Sequence, residues 1–132
     1  MRFGIVGGGS WATALAKVLT DKKHSINWWM RNPETIRHIQ QRHHNPHYLS
    51  SARFNVSLLS LSENIREVVR NSDTLVIAIP SAYVEESLSK LSEEDLKGKK
   101  IVSAIKGLLP EKNILLNYYL QQILTIQVLQ NL

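Results

Sequence analysis

The sequence predicts an α/β domain: a doubly wound parallel sheet with helices on both faces, in three layers. Three observations predict it. Apolar runs of strand length alternate along the chain with stretches of helical periodicity. Asp73 to Ile79 is apolar almost without interruption, as suits a central parallel strand covered on both sides. The first apolar run also ends in three glycines that open an amphipathic segment.

The elements follow in order. Arg2 to Val6 is the first strand. Ala12, Leu15, Ala16 and Leu19 then fall at i, i+3, i+4 and i+7, the buried stripe of a helix. Ser25 to Met30, rich in Ile and Trp, is the second strand; Trp28 and Trp29 alternate across it, so at least one belongs to the core. Asn32 can cap the next helix, with Pro33 at its first position and Ile36 and Ile39 on its inner face. His43 to Ser51 is polar, holds Asn45-Pro46 and reads as a loop. Phe54 to Leu58 is predicted as a short strand, and Ser60-Leu61-Ser62-Glu63 has capping-box spacing ahead of Ile65, Val68 and Val69. The central strand stops at Pro80-Ser81. Val84, Leu88 and Leu91 mark a helix, Ile101 to Ile105 a fifth strand ending at Lys106-Gly107, and the chain after Pro110 a helix as far as Gln122.

A length of 132 residues suits one domain with a single core, and no repeat beyond the strand-helix alternation and no low-complexity segment is present. The absence of cysteine excludes disulfides and thiolate metal sites. No apolar run approaches the roughly 18 residues that a membrane span needs. The apolar N-terminal run is too short for a signal peptide, so a cytoplasmic location is expected. The net charge of +5 is scattered rather than gathered into a basic run. That distribution argues against nucleic acid and suits a protein that attracts small phosphorylated molecules.

Gly7-Gly8-Gly9-Ser10-Trp11-Ala12 fits G-x-G-x-x-A. Gly7 permits the tight turn from strand to helix, Gly9 lets a pyrophosphate approach the backbone, and Ala12 lets the helix pack close to the strand. The helix N-terminus then offers free N–H groups and partial positive charge to the phosphates. Alone the pattern is weak. Between an N-terminal strand and an amphipathic helix it predicts a Rossmann-type dinucleotide site, with ligands along the carboxyl ends of the strands. An acid about twenty residues past the glycines would favour NAD through the ribose hydroxyls, but this sequence has Trp28-Trp29-Met30-Arg31-Asn32 there. Arg31 can pair with a 2′-phosphate or stack on adenine, so NADP is accepted and NAD is not excluded. Lys106, ending a parallel strand before Gly107, is placed to point into the ligand crevice and to offset charge developing on a substrate oxygen. The cluster of His43, His44 and His47 lies in a loop with no carboxylate or cysteine nearby, so no metal site is predicted.

These residues resemble the glycerol-3-phosphate dehydrogenases. Ile5 to Ala16 is similar to the family fingerprint, with Ser10-Trp11 after the glycines. Trp29-Met30-Arg31-Asn32 resembles its strand-end arginine, and Asn45-Pro46-His47-Tyr48-Leu49 its Asn-Pro-x-Tyr-Leu loop. Ile79-Pro80-Ser81 resembles the end of its fourth strand, and Ser103-Ala104-Ile105-Lys106-Gly107-Leu108 its Ser-x-x-Lys-Gly motif. The five matches occur in order over residues 1 to about 122.

The resemblance implies reversible hydride transfer between NAD(P)H with dihydroxyacetone phosphate and NAD(P)+ with sn-glycerol 3-phosphate, the backbone of membrane lipids. It implies that Gly7, Gly9, Ser10, Trp11, Ala12, Arg31, Tyr48 and Pro80 form the cofactor site, with Lys106 where cofactor and substrate meet. It leaves a homodimer open. On this reading residues 1–132 are the NAD(P)-binding domain. A helical substrate domain, carrying the phosphate-binding residues and a proton-exchanging lysine, lies outside them. Two departures stand out. Ala12 replaces the commoner glycine, and Ile123 to Leu132 does not read like the family's next strand and Gly-Pro-Ser turn. Hydroxyacid or ketopantoate-type reductases, and a dinucleotide-binding module without catalysis, remain as alternatives.

Overall fold

The computed structural model describes residues 2–103 and 128–129. Six parallel strands form one sheet in the order β3-β2-β1-β4-β5-β6. The strands are β1 (Phe3–Val6), β2 (Ile26–Trp29), β3 (Leu59–Ser62), β4 (Thr74–Ile77), β5 (Lys100–Ser103) and β6 (Val128–Leu129). The helices are α1 (Ser10–Asp21), α2 (Pro33–Arg42), α3 (Ile65–Arg70), α4 (Val84–Leu88) and α5 (Glu93–Leu96). This is the doubly wound arrangement, with the order of strands reversing at β1.

Side chains alternating along each strand supply two cores. Val6, Trp29, Leu75 and Ile77 point into a cluster with Val68 of α3 and Leu88 of α4. Ile5, Trp28, Val76 and Val102 point the other way, against Ala12 and Ala16 of α1 and Ile36 and Ile39 of α2. Both tryptophans are core residues, and each indole N–H finds a carbonyl: Trp28 Nε1 donates to Gly7 O at 2.6 Å and Trp29 Nε1 to Glu63 O at 2.9 Å. A buried indole without such a partner would be costly. Asn32 caps α2 as its sequence predicts, its Oδ1 accepting from Glu34 N at 2.9 Å.

Two expectations are corrected. The strand predicted over Phe54 to Leu58 lies instead at Leu59–Ser62, preceded by a 3-10 turn at Val56–Leu58. Phe54 is a core plug tilted against the Trp28 ring, 5.5 Å between centroids, rather than a ladder residue. The capping box predicted from Ser60 does not form, because Ser60 to Ser62 belong to β3; Asn64 caps α3, accepting from Glu67 N at 3.3 Å. Within the tail that departs from the family pattern, Val128–Leu129 pairs with Ile101 and Val102 as β6. Two residues are too few to show periodicity. The helix predicted after Pro110 lies outside the described residues.

A capping box that the sequence reading passed over does form, at Ser92 and Asp95 of α5. The Asp95 carboxylate is buried and accepts from Ser92 N, Ser92 Oγ, Arg66 Nε and Arg70 Nε, tying α3 to α5. Burial opposes its charge, but the Ser92 and Arg70 hydrogen bonds and the Arg66 charge outweigh it and hold the carboxyl below its ordinary pKa. A carboxylate depressed in the folded state contributes stability above its unfolded pKa, and that contribution disappears as pH falls through the folded one. Asp95→Asn should therefore cost about 1–3 kcal/mol at neutral pH. The difference from the unmodified chain should shrink in urea titrations taken below about pH 4. A pH-independent difference would mean that packing rather than charge holds the two helices.

Candidate functional site

The site grows from β1 and its two neighbours. Because β2 and β4 both pair with β1, their carboxyl ends rise on either side of the glycine turn. Gly7 N donates to Trp29 O at 3.0 Å, and Gly7 O accepts the Trp28 indole. Gly7 is at φ +136°, and a Cβ there would sit 2.3 Å from Ala78 O. Conformation and contact both demand glycine at this position. Gly9 differs. It is the N-cap of α1 with ordinary extended angles, and a Cβ added to it would meet nothing within 4 Å. The space beside Gly9 is open.

That space is where a phosphate would go. The α1 N-terminus has no side-chain cap and no acidic residue in its first turn, so among the described residues its positive end and N–H groups are left unspent. Ala12, fully buried, packs the first turn of α1 into the core. A dinucleotide pyrophosphate fits such a cradle.

A cleft of about 290 Å³ opens along these strand ends. Gly9, Arg31, Tyr48 and Pro80 line it together, from four separate parts of the chain. Gly7 and Ala12 lie beneath as buried supports. Ser10 and Trp11 are exposed on the first turn of α1 and do not line the cleft. Lys106 lies outside the described residues.

Tyr83 is among the lining residues that sequence reasoning missed. It follows β4, and the Arg31 guanidinium carbon lies 5.2 Å from its ring centroid, a cation–π contact across the mouth of the cleft. Its place follows from the sheet order, in which the extensions of β2 and β4 face one another because both flank β1. Loop 43–49 forms a further wall with Tyr48 and His47. Behind it His38 Nε2 meets His44 Nε2 at 3.4 Å. Burial, then the charges of His44, Arg42 and His47, push the His38 imidazole below its ordinary pKa. Among the described residues no group of three His, Asp or Glu side chains could hold a metal. Nor is any helix among them long and apolar enough to cross a membrane.

Residues 2–131 match the family model for the N-terminus of NAD-dependent glycerol-3-phosphate dehydrogenase. The chain is 34% identical over 108 residues to glycerol-3-phosphate dehydrogenase [NAD(P)+] of Chlorobium phaeobacteroides, covering 82% of this chain and 32% of that protein. It is 32% identical over 115 residues to the protein of the same name from Agathobacter rectalis, covering 87% of this chain and 33% of that one. The crystal structure of glycerol-3-phosphate dehydrogenase from Coxiella burnetii superposes with a TM-score of 0.85 at 25% identity, covering 98% of this chain and 39% of that one. The chain thus spans about a third of the length of the curated relatives it matches. The glycine turn, the strand order and the family match agree: this chain belongs to the NAD-dependent glycerol-3-phosphate dehydrogenases and is their N-terminal, dinucleotide-binding domain.

Proposed function

We propose that this domain holds NAD(H) or NADP(H) for the interconversion of dihydroxyacetone phosphate and sn-glycerol 3-phosphate, in the cytoplasm, in support of glycerophospholipid synthesis. The open, uncapped N-terminus of α1 at Gly9, facing the strand-end cleft, carries the reading. The nicotinamide supplies the hydride when bound. The chain's own residues bind and orient it. N–H groups at the α1 N-terminus receive the pyrophosphate. Gly9 keeps the approach clear, Tyr48 and Pro80 wall the cleft, and Arg31 takes the adenosine end. Ser10 and Trp11 are assigned to the cofactor by resemblance. Lys106 is likewise assigned by resemblance to the meeting point of cofactor and substrate, where an ammonium would stabilise charge on the carbonyl oxygen. The substrate phosphate clamp and proton-exchanging lysine belong, on this reading, to a helical second domain.

Isothermal titration tests the reading. Saturable heat with NADH or NADPH is expected, and no heat with either at millimolar concentration would overturn it. The same titration tests cofactor choice. Arg31 is exposed on the cleft and held over Tyr83, which supports reading it as the partner of a 2′-phosphate. Arg31→Ala should weaken NADPH more than NADH by about 1–3 kcal/mol, the scale of lost charge-assisted bonds. Equal loss for both would confine Arg31 to stacking on adenine.

A further inference from the structure

We propose that Asn45 is a positioning residue that aims the backbone N–H groups of the glycine turn at the dinucleotide pyrophosphate and locks loop 43–49 to them. This rests on the dinucleotide reading above. Asn45 is fully buried although it belongs to a polar loop. Its Nδ2 donates to Gly8 O at 3.3 Å and to Thr13 Oγ1 at 3.1 Å. Its Oδ1 accepts from His47 N at 2.9 Å and Tyr48 N at 3.3 Å. Both donors and both acceptor sites of the carboxamide are in use. The orientation is fixed by chemistry, since Gly8 O cannot donate and the two backbone N–H groups cannot accept.

The contact runs one bond further. Thr13 Oγ1 donates onward to Gly9 O at 2.6 Å, so Asn45 reaches a second carbonyl of the turn through the threonine hydroxyl. In a trans peptide the C=O and the following N–H point in opposite directions. Anchoring Gly8 O therefore directs Gly9 N–H away from Asn45, and anchoring Gly9 O directs Ser10 N–H out of the helix end. These are groups that would meet an anion at the α1 N-terminus. The same carboxamide holds the backbone of His47 and Tyr48, which wall the cleft. One side chain thus sets the phosphate cradle and the cleft wall in a single register. Aspartate could still accept from the loop, but it could not donate to Gly8 O and would place negative charge behind an anion site. Serine and threonine cannot make all four contacts.

The test compares four forms of the chain. Asn45→Asp should weaken NADH and ADP-ribose by roughly 30-fold or more, a loss on the scale of hydrogen bonds to charged groups. Thr13→Val, nearly isosteric, removes the relay while Gly9 O keeps the Thr13 N–H and Asn45 keeps Gly8 O. It should weaken both ligands about tenfold, the value of one such bond. Thr13→Ser keeps the hydroxyl and should restore binding to within about twofold of the unmodified chain. Because the defect lies at the pyrophosphate, adenosine should bind all forms alike when measured by ligand-observed magnetic resonance. Should Asn45→Asp fail to fold, the Thr13 pair decides. Equal binding of NADH by Thr13→Val and the unmodified chain would overturn the proposal. So would equal losses for Thr13→Ser and Thr13→Val, or a matching loss for adenosine. If the unmodified chain itself bound neither NADH nor ADP-ribose, the cofactor reading would fall and this inference with it.

Discussion

Gly9→Val is expected to abolish dinucleotide binding while leaving the domain folded, and Gly7→Ala, a smaller change two residues away, is expected to unfold it. The backbone at Gly9 has angles open to any residue, and an added side chain enters empty space. The structural cost is that of a poorer N-cap, about 1 kcal/mol at most, or a few degrees of melting temperature. The functional cost is large, because that empty space is the approach to the helix N-terminus. Losing two charge-assisted bonds there corresponds to roughly 100-fold or more in affinity. At Gly7 even a methyl group would lie 2.3 Å from the Ala78 carbonyl oxygen, at a φ that L-residues avoid. Both strands flanking the turn would have to shift. A cost above about 4 kcal/mol is in the exceptional range and approaches the whole stability of a small domain. Circular dichroism with titration of NADH separates the two outcomes. Binding by the Gly9 variant, or a folded Gly7 variant with unchanged melting temperature, would refute the division of roles.

The second large effect is expected at Trp28. Its side chain is completely buried, rests against Phe54, and donates to the carbonyl of Gly7 in the glycine turn. Trp28→Ala should lose about 3–5 kcal/mol through the cavity alone, with a further loss because a buried carbonyl is left without its donor. Urea titration measures it. Trp28→Phe separates the contributions, since it keeps most of the apolar surface and removes only the N–H. A loss below about 1 kcal/mol for Trp28→Ala would place it in the range of an ordinary surface change.

The fold was legible because its signals are local. The runs around Ile5, Trp28 and Val76 are apolar on both faces, since helices cover both sides of the sheet, and Gly7 to Ala12 follow from turn geometry. The edge was misread for an equally physical reason. Leu59-Ser60-Leu61-Ser62 carries the two-residue alternation of a strand with one less covered face. Aromatic Phe54 drew the predicted strand toward itself, although its burial comes from packing on Trp28. The capping box at Ser92 went unnoticed because its fourth member is Asp95 rather than the usual Glu or Gln. Of the residues assigned to the cofactor by motif, Arg31, Tyr48 and Pro80 line the cleft with Gly9. The positions of Tyr83 and of the Asn45 side chain were not legible. Each depends on segments that only the sheet order brings together, and neither leaves a periodic trace.

The placement of β1 at the reversal of the strand order has a consequence for biosynthesis. During synthesis β1 must wait for β4, whose approach is marked by the pair Arg2 and Asp73, 71 residues apart. At translation rates of roughly 5–20 residues per second, that interval is about 4–14 s. During it one edge of an apolar strand stays unpaired, a template on which a second nascent chain or a chaperone could dock. The strand that ends in the glycine turn is thus, among the described strands, the one longest exposed to mispairing during synthesis.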